Sequence, residues 1–340
     1  MKHFVRVSAL IAVVTVLVAL LLTQTQLLPP LASQEGTFID RLLTMHILVI
    51  AFLFALIVVL MLYSVIVFRR KPGEEEEGKY IHGNTRLEIF WTLVPLATVL
   101  YFATLGANYL YEITKARPGE MRIGVVGFQW GWRFDYYAED GSLAFSSPEL
   151  YVPKGQPIRF EITSLDVIHS FWVPEFRVKQ DAVPGQTHPL RVTPTELGAF
   201  KVRCAEVCGR GHAYMLADVY VVEPAEFQQW FGEQAASAQG AGGDLAARGA
   251  QVAQQYGCIG CHSVDGSATV GPTWKGLFGK TETLEDGRTV TVDEEYLRRS
   301  ILEPGAEIVK GYPNVMPNTY KDQLSEEELE ALIAYIKSLK

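Results

Sequence analysis

Residue patterning along the chain predicts a multidomain membrane protein: an N-terminal transmembrane helical hairpin, an all-β sandwich, and a C-terminal all-α domain. Three observations carry this expectation. Long apolar stretches are confined to residues 4–111, short β-type runs occupy 121–222, and helix-forming segments fill the chain from Asp244 onward. At 340 residues there is room for such units, taking roughly 100–200 residues for each. The net charge of −8 argues against a nucleic-acid partner, which would call for a basic stripe.

The first apolar stretch, 4–28, follows Lys2 and Arg6 and exits through TQTQLLPPLASQEG. Residues 1–33 therefore suit either a cleaved signal peptide or an uncleaved N-terminal anchor. Stretch 42–68 is uncharged apart from any proton on His46, and 89–111 carries no formal charge. Each exceeds the ~20 apolar residues that a helix needs to cross a bilayer core, so 34–115 is expected to be a helical hairpin in lipid. Arg69, Arg70 and Lys71 follow the second span. The positive-inside rule keeps them cytoplasmic and places everything after Tyr111 on the periplasmic or outer face. The EEEE run at 74–77 reads as a solvated loop tip.

Between 116 and 232 the pattern changes to RIGVVGFQWGWRFDYY, IRFEIT, HSFWV, PLRVT, FKVRC and LADVYVV, separated by breakers. Short strands at this spacing indicate an all-β sandwich or barrel. Residues 233–243, EQAASAQGAGG, read as a flexible linker. The segment 244–340 is helical, and Ser325 with Glu328 forms a capping-box pair before its last helix. Its 15 acidic and 10 basic residues exclude a basic diffusible carrier.

All four cysteines fall in two knots, at 204, 208, 258 and 261, which suits chemistry better than packing. CIGCH at 258–262 is the attachment pattern of a c-type haem. Cys258 and Cys261 are spaced to add to the two vinyl groups of one porphyrin, and His262 then lies beneath the iron. The competing reading is a thioredoxin-like CxxC, against which the histidine, the helical surroundings and the outer compartment all argue. A low-spin carrier needs a second axial ligand, and a thioether raises its potential. Met316, in YPNVMPNTY, is the only methionine of this segment and lies between two prolines in a loop.

VRCAEVCGRGHAYM at 202–215 sets Cys204, Cys208, His212 and Met215 in a C-x3-C-x3-H-x2-M pattern. A disulfide would leave the histidine and methionine without a role, and zinc gains nothing from a thioether. Soft sulfur with imidazole on a β sandwich selects electron-transfer copper. A single blue copper needs one thiolate, whereas two in one loop are able to bridge two ions. Such a site requires a second imidazole. His169, in SLDVIHSFWVP, is the better candidate, and His188, in a polar turn, the weaker one.

DVIHSFWVPEFRVKQDAVPG, VRCAEVCGRGHAYM, GFQWGWRFDYY and HGNTRLEIFWTLVP together resemble subunit II of haem-copper cytochrome c oxidase over about residues 35–225. The GPTWKGLFG stretch and CIGCH make 244–340 similar to class I cytochromes c, a combination similar to caa3-type oxidases. The resemblance implies a cupredoxin-like Greek-key sandwich holding a binuclear CuA centre. Cys204 and Cys208 would bridge both coppers, His169 and His212 would cap one each, and Met215 would be a weak ligand. Glu206 would give its backbone carbonyl to the other copper and turn its side chain toward a magnesium site shared with the catalytic subunit.

Trp130 would be the electron entry residue, and the Pro272 carbonyl would orient His262. Glu88, three residues before Trp91, would stand at the cytoplasmic mouth of a proton channel, although a carboxylate there also suits a plain helix cap. The implied partners are a catalytic subunit I with haem and CuB, other oxidase subunits, and membrane lipid. The implied electron donor is a cytochrome c, a high-potential iron–sulfur protein or a bc1-type complex. Two other functions remain open: a CuA-containing component of a nitric-oxide or nitrous-oxide reductase, and a membrane-anchored copper-storage or delivery protein.

Overall fold

The computed structural model describes the chain except residues 26–27, 71, 74–79, 241–243 and 319, and the side chains of 239, 240, 322 and 323. The acidic run at 74–77, Lys71 and the end of the expected linker lie outside the described residues. The chain divides into two compact units, Met1–Lys115 and Ala116–Lys340.

Among the described residues, the first unit has three helices long and apolar enough to cross a membrane: α1 (Lys2–Gln24), α2 (Gln34–Val67) and α3 (Thr85–Thr114). Helix α2 starts well before the apolar run because Ser33 caps it, its side chain accepting from the Gly36 amide. At 34 residues it spans about 51 Å, more than the ~30 Å hydrocarbon core. Ala51, Ala55 and Val59, spaced by four, are buried on one face, where small side chains let a neighbouring helix approach. His3 Nδ1 of α1 meets Tyr63 Oη of α2 at 2.7 Å, and the His46 ring of α2 lies 4.2 Å from the Phe102 ring of α3. Asn84 caps α3 by accepting from the Leu87 amide at 3.2 Å. Pro95 sits inside α3, where it removes one helical donor.

The second unit begins with a sandwich of two five-stranded sheets. One sheet takes β1 (Met121–Phe128), β2 (Gly131–Tyr137), β3 (Leu143–Ser147), β5 (Ile158–Ser164) and β8 (His188–Val192), in the order β3-β2-β1-β5-β8. The other takes β4 (Leu150–Pro153), β6 (His169–Trp172), β7 (Lys179–Ala182), β9 (Gly198–Cys204) and β10 (Leu216–Val222), in the order β4-β10-β9-β6-β7. Alternation along β5, with Ile158, Phe160 and Ile162 buried, shows why these segments pleat into a sheet with one inner face. Phe128 pairs with Gly131, so Gln129 and Trp130 form a two-residue turn at one end of the sandwich.

Helix α4 (Pro224–Gly240) lies against the sandwich, with Trp230 stacked on Tyr151 at 4.3 Å and 15°. It runs through most of the segment expected to be a flexible linker. Glu233–Gly240 is rich in Ala and Gln, good helix formers, and continues the helix that Trp230 anchors.

The remainder is helical: α5 (Leu245–Gln255), α6 (Glu294–Leu302), α7 (Tyr320–Gln323) and α8 (Glu326–Ser338). The Ser325–Glu328 capping box is formed in full. One addition to the all-α expectation is a small hairpin, β11 (Thr281–Thr283) and β12 (Thr289–Thr291), closed around Asp286–Gly287 with Gly287 at φ +86°. Alternating TET and TVT flanking a DG pair is a hairpin signature, legible but overshadowed by the helices around it. Where α5 crosses α8, a Cβ on Gly249 would come within 1.9 Å of the Ala331 carbonyl oxygen. Gly249→Leu is therefore expected to cost about 1–3 kcal/mol through overpacking. It should lower this domain's thermal midpoint by roughly 4 °C or more, a shift that calorimetry of the full chain reads.

Candidate functional site

Two donor clusters lie in the second unit. In the sandwich, β6 and β9 are neighbours, and Phe171 pairs with Cys204, which carries His169 to the cysteine loop from 35 residues away in sequence. The loop from Cys204 to Met215 then returns the chain to β10. Cys204 Sγ lies 3.8 Å from His169 Nδ1 and 3.7 Å from Cys208 Sγ. Cys208 Sγ lies 3.6 Å from His212 Nδ1 and 3.7 Å from Met215 Sδ. The Glu206 carbonyl oxygen stands 3.2 Å from Cys204 Sγ. The two thiols are free, far beyond the ~2.05 Å of a disulfide.

This donor set fits a metal centre. Thiolate and imidazole donors at about 2.3 and 2.0 Å from one first-row ion stand roughly 3.5 Å apart at a tetrahedral angle, close to the separations here. Met215 is fully buried with its thioether at the thiol, a soft donor that favours copper. His188, the weaker imidazole candidate, lies at the start of β8 in the other sheet.

The surroundings prepare the ligands. His169 is fully buried, and its Nε2–H donates to Asp166 Oδ1 at 2.8 Å, leaving Nδ1 to face the thiols. Burial opposes charge on His169, yet the Asp166 carboxylate and Cys204 outweigh it and raise its pKa. Burial likewise pushes the Cys204 thiol up, but the His169 ring and the backbone of Ser170 and Glu206 bring it below the ordinary value. Burial and the neighbouring Cys204 thiolate push Cys208 up. A metal that needs both thiolates must therefore release the Cys208 proton on loading.

Asp166 and Gln129 are functional residues that sequence reasoning missed. Asp166 Oδ2 accepts from the Gln129 amide at 2.7 Å, and Gln129 Nε2 donates to the Cys208 carbonyl at 2.7 Å. A carboxylate three residues before a candidate ligand histidine was the available signal. Asp166→Asn should weaken copper retention about 10–100-fold, the usual cost of losing a ligand-orienting carboxylate. Competition with a chelator measures it.

Trp130 completes the rim: its Nε1–H donates to the Cys208 carbonyl at 3.2 Å. Its indole lies so close over Gly211 that a Cβ there would meet it at 2.4 Å, which explains a glycine beside His212.

The second cluster lines a cavity of about 1090 Å³, including its open mouth, in the helical domain. Cys258, Cys261, His262 and Met316 all line it, with Trp274, Leu297 and Ile301 among its apolar walls. His262 Nδ1–H donates to the Pro272 carbonyl at 2.7 Å, leaving the Nε2 lone pair to ligate a metal. The Trp274 ring stacks on His262 at 5.1 Å and 18°. A Cβ on Gly271 would come within 2.7 Å of the His262 ring, so this turn needs glycine. Burial pushes the His262 imidazole down, which favours the neutral form that ligates iron. Paired thiols, an oriented imidazole and a half-buried thioether around an apolar cavity fit a haem.

Glu88 belongs to the first unit. It sits in the first turn of α3, where Oε1 accepts from the Asn84 amide at 3.1 Å, a helix-capping contact.

Comparison with known proteins accounts for this combination. Residues 23–106 match the family described as cytochrome c oxidase subunit II, transmembrane domain. Residues 139–222 match cytochrome c oxidase subunit II, periplasmic domain, and 246–340 match cytochrome c. Cytochrome c oxidase subunit 2 of Alkalihalophilus pseudofirmus is 37% identical over 84% of this chain and 85% of its own length. That of Bacillus subtilis is 30% identical over 83% of both. Among solved structures, the periplasmic domain of subunit II of cytochrome oxidase from Bradyrhizobium japonicum is 32% identical over 35% of this chain and 96% of its own, with a TM-score of 0.31. With three apolar helices, a sandwich and a cytochrome c domain in one chain, the protein belongs to the cytochrome c oxidase subunit II family, as a fusion of the caa3 type.

Proposed function

We propose that the chain is the electron-input subunit of a caa3-type cytochrome c oxidase, with two electron-exchange sites in series. The observation that carries this reading is the convergence of two soft-donor clusters in one unit, with Gln129 both lining the haem cavity and bonding the Cys208 carbonyl. Cys204 and Cys208 would bridge a copper pair capped by His169 and His212, with Met215 and the Glu206 carbonyl as the outer ligands. Cys258 and Cys261 would hold the haem covalently between His262 and Met316. These groups would supply one-electron exchange. The protein orients His169 and His262 in the tautomers that ligate, through Asp166 and the Pro272 carbonyl, and lowers the pKa of the Cys204 thiol, while Cys208 gives up its proton on loading.

Trp130 is the entry residue of the copper site. The Glu206 side chain would serve a magnesium shared with subunit I, and Glu88 would open a proton path as well as capping α3. Oxygen reduction to water and proton pumping belong to the catalytic subunit. The donor is a cytochrome c, a high-potential iron–sulfur protein or a bc1-type complex, and the sandwich and cytochrome domain lie on the periplasmic face.

The test is turnover and content of the purified complex. Oxygen consumption, with two coppers and one covalent haem found for each copy of this chain, is the expected result. Nitric-oxide or nitrous-oxide turnover without oxygen consumption would assign the chain to a reductase instead. Reversible Cu(I) binding with no covalent haem would make it a copper carrier.

A further inference from the structure

The β1–β2 hairpin that carries Gln129 and Trp130 also grips the cytochrome domain. Phe128, the last residue of β1, lies against Gly257, where a Cβ would come within 2.2 Å of the Phe128 ring. On β2, Arg133 Nη1 donates to the Gln255 carbonyl. The rest of the guanidinium is held by Asp135, with Nε to Oδ1 at 2.9 Å and Nη2 to Oδ2 at 3.1 Å. Ser146 Oγ in turn donates to Asp135 Oδ1 at 2.7 Å. The Arg133 and Asp135 side chains are only 13% and 10% exposed.

The chemistry of this contact is specific. Gln255 is the last residue of α5. Carbonyls in the last turn of a helix lack an intrahelical partner and carry the negative end of its dipole. Arg133 supplies the missing donor and the complementary charge from another domain. Its bidentate pairing with Asp135 fixes the fork before the helix arrives. Gln255 is followed within three residues by Cys258, and Phe128 is followed directly by Gln129 and Trp130. One end of the hairpin therefore fixes the haem-attachment turn, and its tip fixes the Cys208 carbonyl.

We propose that Arg133 is the positioning residue that locks the haem-attachment turn onto the β1–β2 hairpin, so that exchange between the two sites occurs at fixed geometry without a docking step. The proposal rests on the reading of the two clusters as haem and copper sites.

The experiment uses the purified complex with the full chain. The haem is photoreduced in a flash, and oxidation of the haem with reduction of the copper is followed optically, across a range of ionic strength. Arg133→Ala tests the clamp directly. Arg133→Ala with Asp135→Asn removes the buried unpaired carboxylate while keeping an acceptor for Ser146, and Arg133→Lys tests rescue. Both alanine variants are expected to keep their haem and copper spectra and to slow internal exchange about tenfold or more, since the two centres would no longer be held at one fixed separation and orientation. The slowed step should become dependent on ionic strength, and lysine should restore part of the rate.

Internal exchange at the parental rate in both alanine variants, with both centres present, would overturn the proposal. So would loss of a centre from both, which would make Arg133 a residue of the fold alone. A parental complex lacking copper or haem would overturn the site reading, and the clamp with it.

Discussion

Replacing Cys208 with serine is expected to remove the proposed copper pair and stop oxygen turnover while leaving the haem of the proposed second site in place. Cys208 is the hub of its cluster, with Cys204, His212 and Met215 all within 3.7 Å of its sulfur. A hydroxyl is a hard, weakly acidic donor that copper does not select over thiolate. The loss should exceed the 10–100-fold cost that is typical of an orienting partner such as Asp166. The fold should persist, because Gln129 and Trp130 bond the Cys208 backbone carbonyl, which the substitution keeps. Copper per chain, electron paramagnetic resonance and oxygen uptake check the prediction. A variant that kept the seven-line pattern of a delocalised pair would refute bridging by Cys208, and an unchanged haem spectrum serves as the control for folding.

The two sites differ in how far they could be read from residues alone. The haem cluster is mostly local: Cys258, Cys261, His262 and Pro272 fall within fifteen residues, so spacing carries its geometry. The Cys204–Met215 loop is local in the same sense. His169 is remote and became legible only because a second imidazole was chemically required. Asp166, Gln129 and Arg133 had no such requirement to point to them. The roles of Asp166 and Gln129 arise from a two-residue turn and a strand register that set a hairpin tip against a loop about 78 residues away, and that of Arg133 from a contact 122 residues away with Gln255.

The helical unit shows the converse: its apolar runs announced the spans, while the early start of α2 depends on one capping contact from Ser33. Composition misled at Glu233–Gly240, where small residues that suit a linker also suit a helix once Trp230 has anchored the preceding turns. The same ambiguity attaches to Glu88, whose capping bond to Asn84 is sufficient reason for a carboxylate at that position.

Met316→Ala should lower the haem potential and slow electron entry while copper stays bound. Met316 is half-buried, lines the same cavity as His262 and packs against the domain core. A thioether stabilises the reduced iron relative to harder ligands, and axial ligation tunes haem potentials over about 0.8 V. If Met316 ligates the haem as proposed, loss of the thioether would leave that position to water or a stronger base, so the potential should fall by on the order of 0.1 V or more. The alanine also leaves a space where a buried methionine stood, at a cost of about 2–5 kcal/mol when the site is fully buried, and less here. Met316→Leu restores the volume without the sulfur and separates the two effects. A potential that falls equally in both variants identifies ligation as the cause, and recovery in leucine would assign Met316 to packing. Copper content in both should equal that of the parent, since no copper-cluster residue lines the haem cavity among the described residues.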